Sequence, residues 1–175
     1  MENKFNFCPI CAGRNVININ NRKWECPDCG FVLYNNSATA VGVIIMNDQG
    51  QILMEVRAKE PKKGLLDVPG GFVEHDESTE QACVRECQEE LGVKVTDLKY
   101  LCTFPNTYEY KGFQYKTCDA FFIAKIADNA EFHLQPEEVS GIKWCSLENE
   151  QDLLNLPLAF DSAYRALDFL IKNKL

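Results

Sequence analysis

No stretch of this chain approaches the ~20 consecutive apolar residues that a membrane-spanning helix needs, which excludes a helical membrane protein from the readings. Residues 1–7 have neither the basic start nor the apolar stretch of an export signal, so a cytoplasmic location is expected. Positive charge is also scarce: 18 Lys and Arg stand against 26 Asp and Glu, giving a formal net charge of −8. That balance lacks the cationic excess needed to hold nucleic acid by general phosphate neutralisation, and nucleic acid is not an expected partner. Internal repeats and low-complexity linkers are missing as well. At 175 residues, with 46% hydrophobic and 25% charged, the chain has room for one full-sized domain and a small appended module.

Cysteine, by contrast, is plentiful. Nine are present, and an odd number without an export signal argues for reduced thiols over a disulfide framework. Four of them form Cys8-Pro9-Ile10-Cys11 and Cys26-Pro27-Asp28-Cys29, two CxxC pairs fourteen residues apart. Each CxxC turn directs two thiolates to one point, and two turns supply the tetrahedral four-sulfur shell that Zn²⁺ prefers. The alternatives are four unrelated thiols or a redox pair. With four thiolates the shell is closed to substrate water, so this metal is expected to be structural.

Gly13 and Gly30 suit the tight path after each turn, and residues 16–18 and 31–34 read as short strands. A ribbon spanning 1–36 is too small to be held by a hydrophobic core, so metal binding is expected to supply much of its folding free energy. Its basic residues, Lys4, Arg14, Arg22 and Lys23, are too few to distinguish a nucleic-acid contact from a dimer contact. Cys83, Cys87, Cys102, Cys118 and Cys145 fall in predicted helix or strands and are expected as packed thiols.

Residues 37–175 read as a second domain. The apolar run 38–46, the turn Asn47-Asp48-Gln49-Gly50 and the apolar stretch 52–56 predict a hairpin. Residues 98–104, 117–126 and 141–145 add strands, with Lys111-Gly112 as a second turn. One helix is expected to start at Ser78; another lies near the end, where Phe160, Ala163, Tyr164, Leu167 and Leu170 recur at helical spacing.

The richest segment is 71–93. Ser78 suits an N-cap, Gln81 can complete a capping box, and Gly92 suits the C-terminal stop. At about 100° per residue Glu86, Glu89 and Glu90 share one face, while Val84, Cys87 and Leu91 are expected to pack on another. Three like charges on adjacent turns repel by a few tenths of a kcal/mol per close pair. Mg²⁺ or Mn²⁺ offsets such repulsion, since hard cations take carboxylate oxygens and leave positions for water and phosphate. A solvated acidic face is the plainer alternative for an isolated Glu-x-x-Glu-Glu.

This segment resembles the signature of the Nudix hydrolase family, G-x₅-E-x₇-R-E-U-x-E-E-x-G-U, where U is bulky and apolar. Gly71, Glu77, Arg85, Glu86, Glu89, Glu90 and Gly92 fill all seven fixed positions. Coincidence at a given start is on the order of 10⁻⁹ from average residue usage. Cys87 departs softly at the first U. The lead-in Gly64-Leu65-Leu66-Asp67-Val68-Pro69-Gly70 also looks like the family's.

The resemblance implies an α/β fold: a Nudix α/β/α sandwich with a mixed sheet, preceded by the ribbon. It further implies metal-dependent hydrolysis of a pyrophosphate bond in a small nucleotide derivative. By it Glu86, Glu89 and Glu90 are metal ligands, the Gly71 carbonyl joins them, and Arg85 with Glu77 braces loop and helix. Glu138 sits where some members carry a downstream carboxylate. Glu89 is the first choice for the base that takes the water's proton, and Glu138 the second. Arg57, Lys62 and Lys63 are candidates for phosphate oxygens, and Phe104, Tyr108, Tyr110 or Phe113 for stacking on a base.

The ribbon ahead of the domain is similar to the arrangement in NADH pyrophosphatases. Their S-Q-P-W-P-F-P-x-S array is not matched by Thr103-Phe104-Pro105-Asn106-Thr107-Tyr108, which leaves ADP-ribose, NADH or a similar dinucleotide open. Two other readings stand beside this one: a non-catalytic nucleotide-sensing module, and decapping of NAD-linked RNA. A homodimer is implied by the resemblance only.

Overall fold

The computed structural model describes residues 5–174; Lys4, one of the ribbon's basic residues, and the last residue of the 37–175 domain lie outside them. The chain divides into two compact units, one made of the residues up to Ser37 with Thr107–Lys116, the other of Ala38–Asn106 with the residues from Thr117 onward.

In the first unit, β1 (Ile17–Ile19), β2 (Lys23–Glu25) and β3 (Val32–Tyr34) form an antiparallel sheet in which Trp24 lies opposite both Asn18 and Leu33. The sequence reading had the outer two strands but not β2, whose two charged residues flanking Trp24 hide the one buried side chain. Phe5 meets the Trp24 ring edge-on at 4.8 Å, and the small apolar core is completed by residues such as Val16, Phe31 and Leu33.

Two more three-stranded sheets belong to the second unit, save the stretches of β7 and β8 within residues 107–116. β4 (Ala38–Ile45) runs parallel to β8 (Phe113–Lys125), which neighbours β7 (Thr96–Tyr110). β5 (Ile52–Arg57) lies between β6 (Leu66–Asp67) and β9 (Val139–Cys145), antiparallel to both. The expected hairpin of β4 and β5 is therefore corrected. The Asn47 side chain does close the turn by accepting from Gln49 and Gln51, yet only a single Met46–Ile52 bridge follows before the strands part into different sheets. Both strands are buried on both faces, so period-two alternation gave no clue to their partners.

Helices cover the two faces. Val41, Val43, Ile45 and Leu53 pack against Ala82, Cys83, Cys87 and Leu91 of α1 (Thr79–Leu91). The alternate residues Ile44, Ile52 and Met54 pack against Leu153 of α2 (Glu150–Leu154) and Ala163, Ala166, Leu167 and Leu170 of α3 (Asp161–Asn173). This is the expected α/β/α layering. The five-residue α2, capped by Asn149, is too short for a periodic signal. Of the five further cysteines, Cys83, Cys87 and Cys102 are buried and Cys145 is half-buried. Cys118 is exposed and corrects the expectation of a packed thiol.

Candidate active site and metal centre

The two CxxC turns have the same backbone. Cys8 N–H donates to Gly13 O and Ala12 N–H to Cys8 O; likewise Cys26 N–H donates to Phe31 O and Gly30 N–H to Cys26 O. The left-handed residue of each loop is Ala12 in one and Gly30 in the other. Gly13 is required for a different reason, since a Cβ there would fall 2.5 Å from an Asp28 carboxylate oxygen.

The four sulfur atoms lie within 4.8 Å of one another, with Cys8–Cys29 and Cys11–Cys26 each at 3.7 Å. Thiolates ~2.3 Å from a tetrahedral ion stand ~3.8 Å apart, whereas a disulfide needs ~2.05 Å. The set can therefore hold a metal ion. The thiol of Cys8 is lowered to about 7, chiefly by the Cys11 backbone N–H, which favours the thiolate.

In the second unit α1 forms as its termini dictate. Ser78 accepts from Gln81 N–H and Gln81 returns the bond to Ser78 N–H, while Gly92 ends the helix at φ 70°. Gly92 also lies under the following segment, where a Cβ would meet His133 at 2.7 Å. His133 N–H and Gln135 N–H bond to Leu91 O and Glu90 O, strapping that segment to the helix end and leading it to Glu138.

The helix faces differ from the expected division. Val84 is exposed at 41%, and the packed face is Ala82, Cys83, Glu86, Cys87, Glu90 and Leu91. Glu86 and Glu90 are thus buried at 9% and 4%, and only Glu89 faces outward. Burial of two carboxylates is tolerated because specific donors meet them. Gly70 N–H donates to Glu90 Oε2 at 2.9 Å, and Arg85 Nη1 to Glu86 Oε1 at 2.8 Å and to Glu89 Oε2 at 3.1 Å. Arg85 Nε meets both oxygens of Glu77, and Nη2 donates to Phe72 O, so the Arg85–Glu77 brace ties the Gly70–Glu77 loop to α1.

Gly71 is pinned between strand and helix. Its carbonyl accepts from Val41 N–H, and a Cβ on it would lie 2.3 Å from Glu86 Oε1. Glu138 stands just before β9 and pairs with Lys59 at 2.5 Å.

Two acids escaped the sequence reading. Glu55 on β5 is 2% exposed, and its Oε2 has no hydrogen-bond partner; Asp67 on β6 is 9% exposed. The available signal for Glu55 was an acid following the apolar run Ile52-Leu53-Met54. Arg57, expected to reach phosphate, instead faces Asp67 at 3.3 Å, donates Nε to Pro61 O and lies over the Phe160 ring. Lys62 and Lys63 are exposed on the loop before β6. Phe104 is half-buried beneath the Arg165 guanidinium. Tyr108, Tyr110 and Phe113 belong to the first unit.

The electrostatics are those of crowded, buried acids. Burial pushes Glu90 up to about 8 against the opposing Gly70 bond, with the charges of Glu86, Glu138 and Asp67 adding to the rise. Burial raises Glu86 and Glu55 as well, and Asp67 to about 6. This arrangement fits a divalent cation: buried carboxylates, an orphaned carboxylate oxygen, and a glycine whose missing Cβ leaves room at Glu86. Among the described residues the four cysteines are the one group of three or more ligands drawn together within 4.8 Å; Glu86 and Glu89 turn to Arg85 and Glu90 to the Gly70 N–H.

A carboxyl whose folded pKa exceeds its unfolded value, about 4.3 for Glu, stabilises the fold when protonated and loses that contribution as pH rises through the folded value. In buffer free of divalent cations the melting temperature is therefore expected to rise as pH is lowered from 8.5 to 6. Differential scanning fluorimetry checks this, and a steady fall over that window would contradict the buried-acid account.

Comparison with known proteins identifies the family and the fold. The family model described as NUDIX domain matches residues 36–167. The NAD-capped RNA hydrolase NudC of Vibrio cholerae is 30% identical over 151 residues, covering 85% of this chain and 52% of that protein. The chain thus spans about half the length of the curated relatives it matches. Among solved structures, the NUDIX domain of Shewanella oneidensis NrtR complexed with ADP ribose superposes with a TM-score of 0.65 at 25% identity, covering 86% of this chain and 94% of that one. The MutT NUDIX hydrolase from Burkholderia pseudomallei gives 0.64 at 26%, covering 77% and 98%. No helix among the described residues is long and apolar enough to cross a membrane.

Proposed function

This chain belongs to the NUDIX domain family, and from that premise we propose that it hydrolyses the pyrophosphate bond of a nucleoside diphosphate derivative such as ADP-ribose or NADH, using Mg²⁺ or Mn²⁺ held at α1. The observation that carries the reading is the placement of Glu86 and Glu90 beneath the Gly70-Gly71 loop, with Arg85 linking Glu77, Glu86 and Glu89. Glu86, Glu89, Glu90 and the second lone pair of the Gly71 carbonyl would hold the cation. When bound, the cation supplies positive charge to phosphate oxygens and makes a water more acidic.

The chain's own residues do the rest. Water attacks one phosphorus of the P-O-P linkage, the bridging oxygen leaves with the other phosphate, and Glu89 takes the water's proton, being the outward carboxylate of the set. Glu138 is the second choice, because its ion pair with Lys59 must open first. The Arg85–Glu77 brace fixes the loop so that the acceptor oxygens do not shift during the reaction. Lys62 and Lys63 stand ready for phosphate oxygens, whereas Phe104 has its ring beneath Arg165 and against the core. The cysteine set would hold structural Zn²⁺ in a ribbon of residues 1–36, and residues 37–175 would form the hydrolase domain.

The names of the relatives support a second substrate, the NAD-linked end of an RNA. The net charge of −8 favours the small molecule. A nucleotide sensor without catalysis is disfavoured because none of the three α1 glutamates is missing. A panel of ADP-ribose, NADH, nucleoside triphosphates and NAD-capped RNA, each with Mg²⁺ or Mn²⁺ and read by product chromatography, separates these readings. The expected result is AMP and ribose 5-phosphate from ADP-ribose, or AMP and reduced nicotinamide mononucleotide from NADH, faster than cleavage of capped RNA. Turnover of the RNA alone would give the function to decapping, and turnover of none would favour the sensor.

A further inference from the structure

The acid with no assigned work is Glu55. The alternation of β5 sends Ile52, Met54 and Val56 to the side of α3, and Leu53 to the side of α1, where it packs with Cys83 and Cys87. Glu55, two residues on, faces the same side. It lies directly opposite Asp67 on β6, and three residues beyond Asp67 the Gly70 N–H holds Glu90. Its side chain therefore enters the acidic pocket from the sheet, opposite the helix that brings Glu86 and Glu90. Arg57, which follows a register irregularity in the β5–β9 pairing, directs Nη1 to Asp67 and Nε to Pro61 O, and Glu55 Oε2 is left buried without a hydrogen bond.

An orphaned buried polar atom forfeits the water it held in the unfolded chain, the more so when charged, and a carboxylate in this position calls for a partner. Neither Asp67 nor Glu90 supplies a donor in its ionised form. A divalent cation, or a water held by one, meets the demand from the pocket side.

Resting on the reading that α1 holds a divalent cation, we propose that Glu55 is a further carboxylate of that site, contributed by β5. The sheet then supplies part of the cation's charge compensation, and affinity depends on the β5–β6 register as well as on the helix.

Mn²⁺ titration of the full chain, followed by electron paramagnetic resonance, tests this with Glu55→Gln, which keeps the shape and removes the charge. The expected result is Mn²⁺ affinity at least about tenfold weaker than in the unchanged protein, by analogy with removal of a metal-orienting carboxylate. Melting temperatures supply a second readout. Without added cation, Glu55→Gln is expected to melt a few degrees higher, because a buried like charge is gone; the rise produced by saturating Mn²⁺ is expected to shrink.

A residue that only packs would lower the melting temperature in both conditions and leave the affinity in place. Glu55→Met, which removes both oxygens at similar length, is expected to rank with Glu55→Gln. Affinities within twofold of the unchanged protein in both variants would overturn the role of Glu55 while leaving the α1 site standing. Failure of the unchanged protein to bind Mn²⁺ would overturn the underlying site, and Glu55 with it.

Discussion

Glutamine in place of Glu89 is expected to lower the turnover of pyrophosphate hydrolysis at least about 100-fold, the usual scale for removal of a general base. The melting temperature should stay within about 2 °C of the unchanged protein's, no more than the shift that a loss of 1 kcal/mol produces in a chain of this size. Glu89 allows this separation because its side chain is 53% exposed and its one described bond is to Arg85. An exposed pair contributes about 0–1 kcal/mol, and the glutamine carbonyl keeps the acceptor. Glu86 and Glu90 give no such separation, since each is buried against a specific donor. Steady-state kinetics beside a thermal melt is the check, and turnover within tenfold of the unchanged protein would remove Glu89 from the chemistry.

Serine at Cys29 is expected to reduce bound zinc from about one ion per chain to a small fraction and to unfold the ribbon. A three-strand sheet around Trp24 has little else to hold it, because below ≈ 40 residues a domain usually needs a metal, a disulfide or a partner. Structural zinc sites contribute about 10–16 kcal/mol at neutral pH, far above what one buried indole supplies. Metal analysis by mass spectrometry, with amide exchange at β1 to β3, measures both effects. Retention of the ion, or its absence from the unchanged protein, would refute the ribbon's metal.

The legible parts of the molecule were those that depend on neighbours in sequence. The start and stop of α1 followed from Ser78, Gln81 and Gly92, and the CxxC pairs from their own spacing. The Arg85–Glu77 contact and the resemblance to the family rested on one 23-residue stretch. What stayed hidden depends on partners distant in the chain. Helical periodicity cannot reveal that Glu86 and Glu90 occupy the packed face, because the donors that make this tolerable, Gly70 N–H and Arg85, are brought there by the loop. Periodicity likewise places Val84 on the packed face, whereas it is exposed. The separation of β4 from β5 needed the parallel pairing with β8, and Glu55 and Asp67 became visible only through the register that sets them opposite each other.

In the proposed reaction water splits a P-O-P linkage at the α1 carboxylates. Incubation of the full chain with ADP-ribose and Mg²⁺ in ¹⁸O-labelled water, followed by mass spectrometry, tests it most directly. The account predicts equal amounts of AMP and ribose 5-phosphate, with the label in the phosphate of one product for each bond cut. Intact ADP-ribose together with intact NADH under the same conditions, or labelled products formed as quickly when Glu86, Glu89 and Glu90 are all glutamine, would overturn it.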